Sequence, residues 1–156
     1  MEMLNAQNDE TDLSREDNRD GRSSAGDEAA VVGAVLDYFE GWFQGDAIRM
    51  ERALHPELAK RSLGGDQRWW GEAGGEGTGP DALETTTARE MIHATARGVG
   101  KERARIVDDL RIQVQVVDIY DTIAAVTVRS AVYREYLHLV RTRDGWKIAN
   151  ALWQRT

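Results

Sequence analysis

The chain has no cysteine, and only two prolines and two phenylalanines stand among its 156 residues. The absence of cysteine excludes disulfide bonds, thiolate catalysis and zinc–thiolate sites. The three histidines, His55, His93 and His138, lack the close spacing typical of metal ligands, so no metal site is predicted. No cofactor is predicted either, since no phosphate-binding loop with its Lys-Ser or Lys-Thr pair is present.

Long hydrophobic runs are also missing, so the sequence predicts neither a membrane span nor a secretory signal. The net charge is -7, and residues 1–28 hold nine acidic and three basic side chains, which places -6 there and about -1 in the rest. No basic stripe of the kind that nucleic-acid binding requires is present. We therefore expect a soluble cytoplasmic protein with no nucleic-acid or membrane partner.

The acidic N-terminal segment, residues 1–26, is polar and almost free of aromatic and β-branched side chains. Such a segment cannot bury enough apolar surface to offset the entropy lost on ordering. We therefore predict a disordered acidic tail over 1–26 and one folded domain over 27–156.

Apolar residues at spacings of three and four predict a first helix that begins near Asp27 and ends at Gly45. Asp46 is a suitable N-cap for a second helix that runs to about Leu54. A further short helix is predicted at "PELAKR", and another from Thr86 or Thr87 to Arg97, with Glu90 as capping-box partner.

From Ile106 onward the period becomes two, which predicts four strands over about 105–119, 122–132, 134–142 and 146–154. Helices followed by antiparallel strands are typical of an α+β domain. In the first predicted hairpin, pairing Ile119 with Ile123 places Val116 opposite Val126 and Val114 opposite Val128. In the last hairpin, pairing Thr142 with Trp146 places Val140 opposite Ile148, His138 opposite Asn150 and Tyr136 opposite Leu152.

Both faces of the last predicted hairpin are substantially apolar, which indicates that both are covered. We predict that the helices cover the face with His138 and Asn150, which lies toward a pocket. The face that carries Leu137, Leu139, Ala149, Ala151 and Trp153 is then predicted to pack against a second copy of the chain. The alternative covers are a partner protein and the N-terminal tail, folded back on the sheet.

The segment from Gly64 to Gly79 contains seven glycines in 16 residues. It is predicted to form a loop around the short strand "QRWW", either as an ordered rim or as a mobile lid. Trp69 and Trp70 lie in this segment, and either ring could stack on a flat heterocycle, although each could equally pack in a core.

Four stretches together carry a family resemblance: "VVGAVLDYFEGWFQGD", "ALHPELAKRS", the helix "AREMIHATARGVG" and "AAVTVRSAVYREYLHLVRTRDGWKIANALWQ". Over residues 28–156 the chain resembles the putative lumazine-binding family of the nuclear transport factor 2-like superfamily. The resemblance implies a cone-shaped α+β fold, in which a bent antiparallel sheet wraps three N-terminal helices around a pocket. It also implies a homodimer through the outer sheet face. Enzymes of the wider superfamily include ketosteroid isomerases, polyketide cyclases, scytalone dehydratase and limonene-epoxide hydrolase.

The pair His138 and Asn150 is the first candidate for chemistry, because a neutral histidine can act as a general base that an asparagine orients. The alternative is a core pair that satisfies its own hydrogen bonds. No Asp or Glu is predicted on the inner face of the late strands, which speaks against an isomerase. The candidate ligand-binding residues are Tyr38, Trp42, His55, Trp69, Trp70, Tyr136 and Asn150, with His138 as the candidate catalytic residue.

Three functions remain open from the sequence. The first is a small-molecule-binding protein with a largely apolar pocket. The second is a cofactor-independent dehydratase, cyclase, isomerase or hydrolase that uses general acid–base catalysis in the same pocket. The third is an interaction module that uses the outer face of its sheet.

Overall fold

The computed structural model describes residues 13–63 and 81–156, with side chains described from Ser24 onward. Four helices and six strands follow one another along this part of the chain. Their bounds are α1 Leu13–Gln44, α2 Ala47–Ala53, β1 Leu54–Leu63, β2 Leu83–Thr86, α3 Ala88–Ala96, α4 Val99–Ala104, β3 Gln113–Tyr120, β4 Ile123–Arg129, β5 Tyr133–Thr142 and β6 Gly145–Arg155.

The strands form one sheet in the order β2-β1-β6-β5-β4-β3. β1 lies parallel to β6, and every other neighbouring pair is antiparallel. The helices pack on one face of the sheet, where the buried hydrophobic side chains form a single core. The predicted α+β class is therefore confirmed, with two more strands than the pattern showed.

The predicted helix boundaries hold where a capping residue defines them. α1 ends at Gln44, and Gly45 follows in the left-handed region at φ 71°. The Asp46 carboxylate accepts hydrogen bonds from the backbone N–H groups of residues 48 and 49 at the start of α2. Thr87 and Glu90 form the predicted capping box of α3.

The start of α1 differs from the sequence-based boundary, because the helix begins at Leu13 and not near Asp27. Among the side chains that the structure describes, from Ser24 onward, the first buried residue of α1 is Val31. Residues 1–12 lie outside the described residues, and for them a disordered tail stays a prediction.

The predicted short helix at "PELAKR" is wrong, because these residues belong to β1. Leu58, Lys60 and Ser62 alternate with more exposed neighbours and point to the buried side of the sheet. A period of two is typical of a strand. The alternation was hard to recognise in the sequence because two of the three inward side chains are polar.

The register predicted for β3 and β4 is confirmed over most of its length. Val114 pairs with Val128, and Val116 pairs with Val126. A bulge between residues 116 and 118 then shifts Ile119 opposite Ala124 instead of Ile123.

The hairpin of β5 and β6 pairs His138 with Asn150, as predicted, but contains a bulge at Ala149. Beyond the bulge, Leu139 pairs with Ile148, so the predicted pair of Val140 and Ile148 is wrong. A bulge places one extra residue on one strand and interrupts its strict alternation.

The bulge also explains why only part of this hairpin was assigned to the correct face: Trp146 and Ile148 lie on the inner face as predicted, and the residues beyond Ala149 do not. Trp146 and Ile148 lie on the buried side before the bulge, and Ala151 and Trp153 lie on the same side after it. Strict alternation along β6 would instead place Trp146 and Ile148 on one face and Ala151 and Trp153 on the other. The prediction that His138 lies on the inner face is therefore wrong: it is exposed on the outer face, together with Tyr136, Asn150 and Leu152.

The residues predicted to form a dimer contact are mostly core residues. Leu137, Leu139, Ala151 and Trp153 are each at most 5% exposed, and Ala149 is half-buried at the bulge. The helices cover them, so they are not available to a second copy of the chain.

Helices α1 and α4 approach each other closely at Gly100. An added Cβ at this position would clash with the Trp42 carbonyl oxygen and lie 2.6 Å from Cδ2 of the Trp42 ring. Packed interiors tolerate such overlap poorly, because neither the backbone of α1 nor the indole can yield without disturbing the core.

We expect Gly100→Ala to lower the free energy of unfolding by about 3 kcal/mol through this overlap. Gly33→Ala is the matched control, because a Cβ at residue 33 on α1 would meet nothing within 4 Å. The control is expected to raise stability by about 0.5–1 kcal/mol through the higher helix propensity of alanine. Urea unfolding of both variants checks this, and equal stability of the two would contradict the described packing of α4.

Candidate functional site

A cavity lies between the helices and the inner face of the sheet. It is lined by residues of α1, β1, α3, β5 and β6: Tyr38, Phe39, Trp42, Lys60, Met91, Tyr133, Glu135 and Trp153. About 10 Å³ is free inside it, close to the room that one water molecule needs. The side chains themselves therefore fill most of the space beneath the helices.

Three polar side chains meet at this cavity. Lys60 Nζ lies 3.1 and 3.2 Å from the two carboxylate oxygens of Glu135 and donates a short hydrogen bond to the Tyr38 hydroxyl. The Tyr38 hydroxyl in turn donates to Glu135 Oε2 at 3.0 Å. We call Tyr38, Lys60 and Glu135 the buried triad, since each is at most 3% exposed.

Aromatic rings enclose the ammonium end of the buried triad. Lys60 Nζ lies 4.9 Å from the ring centre of Trp153 and 5.2 Å from that of Tyr38. Tyr133 packs edge-on against Trp153, with ring centres 5.5 Å apart. The electron-rich faces of such rings attract a cation, and their bulk keeps water away from it.

Burial governs the protonation of the buried triad. It raises the pKa of Tyr38 well above the usual range, and the Glu135 carboxylate raises it further, so the hydroxyl keeps its proton. Burial lowers the pKa of Lys60, although Glu135 acts in the opposite direction. Tyr133 also has a pKa raised by burial, which a hydrogen bond with Trp42 partly offsets.

The buried triad is chemically versatile because its members differ in kind. The phenol can donate a proton or hydrogen bond, the carboxylate can only accept, and the amine can donate or, once deprotonated, act as a nucleophile. Three such groups within hydrogen-bond distance around a cavity are the usual arrangement for binding a polar ligand or for moving a proton.

Two of the candidate ligand-binding residues, Tyr38 and Trp42, lie in the wall of this cavity. His55 lies elsewhere, at the start of β1, where its Nδ1 accepts a hydrogen bond from the Glu57 N–H at 3.0 Å. Trp69 and Trp70, with the predicted loop or lid from 64 to 79, lie outside the described residues. The roles of these five residues in ligand binding therefore stay predictions.

The other candidates lie on the outer face of the sheet. Asn150 Nδ2 and His138 Nδ1 are 3.5 Å apart and both side chains are exposed. They line an open groove of about 430 Å³ together with Asp118 and Tyr120. Tyr136 is 52% exposed on the same face. The pair is therefore accessible to solvent, and neither a core pair nor part of the inner cavity.

Sequence reasoning missed Lys60 and Glu135. Lys60 was placed in a helix that does not exist, and Glu135 was not assigned to the inner face. One signal was available, because the chain contains 17 arginines but only three lysines: Lys60, Lys101 and Lys147. A lysine flanked by Leu58 and Ser62 at strand spacing, in such an arginine-rich chain, could have been recognised as a distinct position.

Within the described residues, no group of three or more His, Asp or Glu side chains is arranged to hold a metal ion. Over the same residues, no helix is both long and apolar enough to cross a membrane.

Comparison with known proteins places the chain among proteins of the same architecture. A family model described as "Putative lumazine-binding" matches residues 26–154. No curated protein matches the chain.

Several solved structures share the fold at low sequence identity. An "NTF-2 like" protein of unknown function from Silicibacter pomeroyi is 13% identical, with 85% of this chain and 98% of that chain covered and a TM-score of 0.59. An "NTF2-like" protein of unknown function from Methylobacillus flagellatus is 15% identical, with 84% of this chain and 93% of that chain covered and a TM-score of 0.57. A "putative scytalone dehydratase" from Novosphingobium aromaticivorans is 12% identical, with 87% of this chain and 88% of that chain covered and a TM-score of 0.54. These similarities confirm the nuclear transport factor 2-like fold.

The buried ion pair makes a prediction about stability. Glu135→Gln leaves the Lys60 ammonium buried without its counter-charge, so we expect a loss of about 3–5 kcal/mol in the free energy of unfolding at pH 7. Replacing both charges by apolar groups in Lys60→Met/Glu135→Leu is expected to restore that loss in full or more, because no uncompensated charge remains.

The exposed pair Arg105 and Glu102 provides the control. Arg105 Nη1 lies 2.9 Å from Glu102 Oε1, but both side chains are about 70% exposed. Glu102→Gln is therefore expected to change stability by less than about 1 kcal/mol. Urea unfolding of the unmodified chain and the three variants measures these free energies. Equal losses of stability in Glu135→Gln and Glu102→Gln would show that the pair of Lys60 and Glu135 is solvated.

Proposed function

The chain belongs to the putative lumazine-binding family, and from this premise we propose that it binds a small flat molecule at the buried triad. The observation that carries the proposal is the placement of Lys60 and Glu135, the two buried charged side chains of the described residues, beside a cavity in a mostly apolar core. Burying a charge pair costs several kcal/mol of desolvation, and a well-packed apolar pair would stabilise the core as well or better. A binding role gives these residues a reason to be there.

The buried triad offers a pattern that complements a heterocycle with ring carbonyl and N–H groups, such as lumazine. Lys60 and Tyr38 can donate to carbonyl oxygens, and Glu135 can accept from an N–H group. Trp42 and Trp153 line the same cavity and can pack against a flat ring. Because little more than one water fits in the cavity, binding must displace lining side chains, and the tryptophan fluorescence should change.

A second candidate function is a cofactor-independent enzyme that uses acid–base catalysis in the same cavity. The mutual contacts of an amine, a carboxylate and a phenol favour it. A solved structure of the same fold carries the name "putative scytalone dehydratase". In this case the proton-transfer groups would be Lys60, Glu135 and Tyr38, while a role for His138 as base would require a substrate in the outer groove.

Binding at the inner cavity predicts different behaviour for two tyrosines that undergo the same change. Tyr38→Phe removes a buried hydrogen-bonding hydroxyl and is expected to weaken binding of lumazine about tenfold, which corresponds to about 1.4 kcal/mol. Tyr136→Phe removes an exposed hydroxyl on the outer face and is expected to leave binding unchanged. Titration calorimetry with lumazine measures both.

His138→Gln and Asn150→Ala complete this experiment, because they alter only the outer groove. If these variants lose binding while Tyr38→Phe retains it, the ligand site lies in the outer groove and the proposed location is refuted. If lumazine binds to no variant and not to the unmodified chain, the ligand is of another class.

We also propose a homodimer through the outer face of the sheet, with contacts revised from the buried residues that the sequence suggested. Tyr136 and Leu152 pair across β5 and β6, and their side chains are 52% and 51% exposed. Adjacent large apolar side chains at the centre of an uncovered sheet face are typical of a contact surface. A cytoplasmic location remains a prediction from the sequence.

The dimer is tested by placing a charge in the proposed contact. Leu152→Glu is expected to shift the chain from dimer to monomer in sedimentation equilibrium, because a buried unpaired carboxylate opposes association. Ile48→Glu is the control, since Ile48 is 76% exposed on α2, on the helical side of the sheet. A monomeric unmodified chain, or a dimer that survives Leu152→Glu, would refute this contact.

A further inference from the structure

We propose that Lys60 binds its ligand covalently: its amine condenses with the carbonyl carbon of a small aldehyde or ketone to form an imine. This inference rests on the proposed function, because the carbonyl compound must enter the cavity of the buried triad. It goes further by naming the reactive group of the ligand and the atom that it meets.

The surroundings of Lys60 Nζ carry the inference. Its polar contacts are the Tyr38 hydroxyl and the two Glu135 oxygens, at 3.1 and 3.2 Å for the latter. The remaining side of the ammonium faces Trp153, and the free space of the cavity lies alongside. A desolvated amine in an apolar pocket is the environment in which lysine acts as a nucleophile.

The two polar neighbours match the two proton transfers that the reaction needs. The Glu135 carboxylate can take a proton from the ammonium group, which frees the nitrogen lone pair. The Tyr38 hydroxyl, which burial keeps protonated, can donate to the oxygen of the carbonyl group. Both groups lie within hydrogen-bond distance of Nζ, which is the geometry that general acid–base catalysis requires.

The reaction balances without an oxidant or reductant. The lone pair of the neutral amine forms a bond to the carbonyl carbon, the π electrons move to the oxygen, the oxygen takes a proton from the Tyr38 hydroxyl, and the nitrogen returns one of its protons to the Tyr38 oxygen, which leaves a neutral carbinolamine. The proton that Glu135 took from the ammonium group then passes to the carbinolamine oxygen, the C–O bond breaks as water leaves, and the nitrogen lone pair forms the C=N bond of a protonated imine, whose charge Glu135 again balances. One amine and one carbonyl compound thus give one imine and one water.

The residue type at position 60 also fits this chemistry. An arginine could form the ion pair with Glu135, with two hydrogen bonds, and this chain uses arginine 17 times against three lysines. Arginine cannot lose its proton in a protein, whereas a buried lysine can. Among the side chains that the structure describes, Lys60 is the only fully buried basic one, and a lysine there is the choice that retains a nucleophile.

Because the chain has only three lysines, the reactivity of each amine can be measured separately. Lys101 is exposed, and Lys147 is half-buried and donates to the Arg52 carbonyl oxygen, so each reports on an ordinary amine in the same chain. The full-length protein is treated with acetaldehyde and cyanoborohydride at pH 7. Peptide mass spectrometry then measures the rate at which each lysine gains one ethyl group.

We expect Lys60 to be labelled faster than Lys101 and Lys147, although it is only 3% exposed. Tyr38→Phe is expected to slow labelling of Lys60 by about 100-fold or more, because it removes the proton donor. Labelling of the other two lysines should not change. Tyr136→Phe, the same substitution on the outer face, is expected to leave all three rates as they were.

Two results would overturn the inference. One is that Lys60 stays unlabelled while Lys101 reacts, which would make the buried triad a structural ion pair. The other is labelling of Lys60 at a rate that Tyr38→Phe does not alter, which would show that the neighbours take no part.

Lumazine binding and acetaldehyde labelling of the unmodified chain together separate this inference from the proposed function. If lumazine binds to the unmodified chain while acetaldehyde labels no Lys60, the covalent step is refuted and the binding site stands. If acetaldehyde labels Lys60 in a manner that depends on Tyr38 but lumazine does not bind, the flat-ligand proposal fails and the reactive amine stands.

Discussion

The ion pair between Lys60 and Glu135 requires three separate parts of the chain to meet without water. Glu135 lies on β5 and Lys60 on β1, two strands that do not pair with each other, because β6 lies between them. Tyr38 reaches the same point from α1. A displacement of β1 relative to β5 would leave a charge buried without its partner, at a cost of several kcal/mol, and a displacement of α1 would take the Tyr38 hydroxyl away from both charged groups. The register of the sheet and the position of α1 on it therefore both depend on the contact between Lys60, Glu135 and Tyr38.

The bulge at Ala149 is part of the same constraint. It lets β6 place Trp146 and Ile148 on the inner face at one end and Ala151 and Trp153 on that face at the other. Without the extra residue, Trp153 would point to the outer face and the ammonium group of Lys60 would lose the ring that covers it. A local irregularity in one strand thus determines the environment of a side chain on its parallel neighbour.

The fold could be predicted from the sequence where the signal is local. Asp46, Thr87 and Gly45 define helix ends because a cap or a left-handed residue acts on its immediate neighbours. The pairing of Val114 with Val128 and of His138 with Asn150 follows from apolar alternation and turn position. These features depend on residues a few positions apart, and the sequence displays them directly.

The candidate site could not be predicted in the same way, because its residues break the patterns on which such reasoning depends. Lys60 and Ser62 occupy inward positions of β1 that a hydrophobic pattern assigns to apolar residues, so the strand was taken for a helix. Glu135 could be placed on the inner face only once the position of the bulge was known. Tyr38 was recognised because its neighbours on α1 form a regular apolar stripe. The polar members of a site are thus the hardest to place from sequence.

Two polar pairs on the sheet invite a functional reading, and physical chemistry separates them. His138 and Asn150 are exposed and 3.5 Å apart, so water can replace either partner at little cost and their contact requires no special explanation. Lys60 and Glu135 lie within a core that could be filled by apolar side chains with equal or greater stability. A costly arrangement that packing does not require is the stronger indication of a function.

The small size of the cavity bears on what that function can be. A preformed site for a drug-sized ligand has a volume of several hundred Å³, whereas about 10 Å³ is free here. Either the lining side chains yield to a flat ligand, or the site accepts a very small molecule and holds it by a bond instead of by contact area. An amine that forms a covalent bond needs little surface to retain its ligand, because the bond replaces the many weak contacts that a larger pocket would supply. The tight packing around Lys60 is therefore compatible with a reactive role, because it keeps bulk water away from the amine.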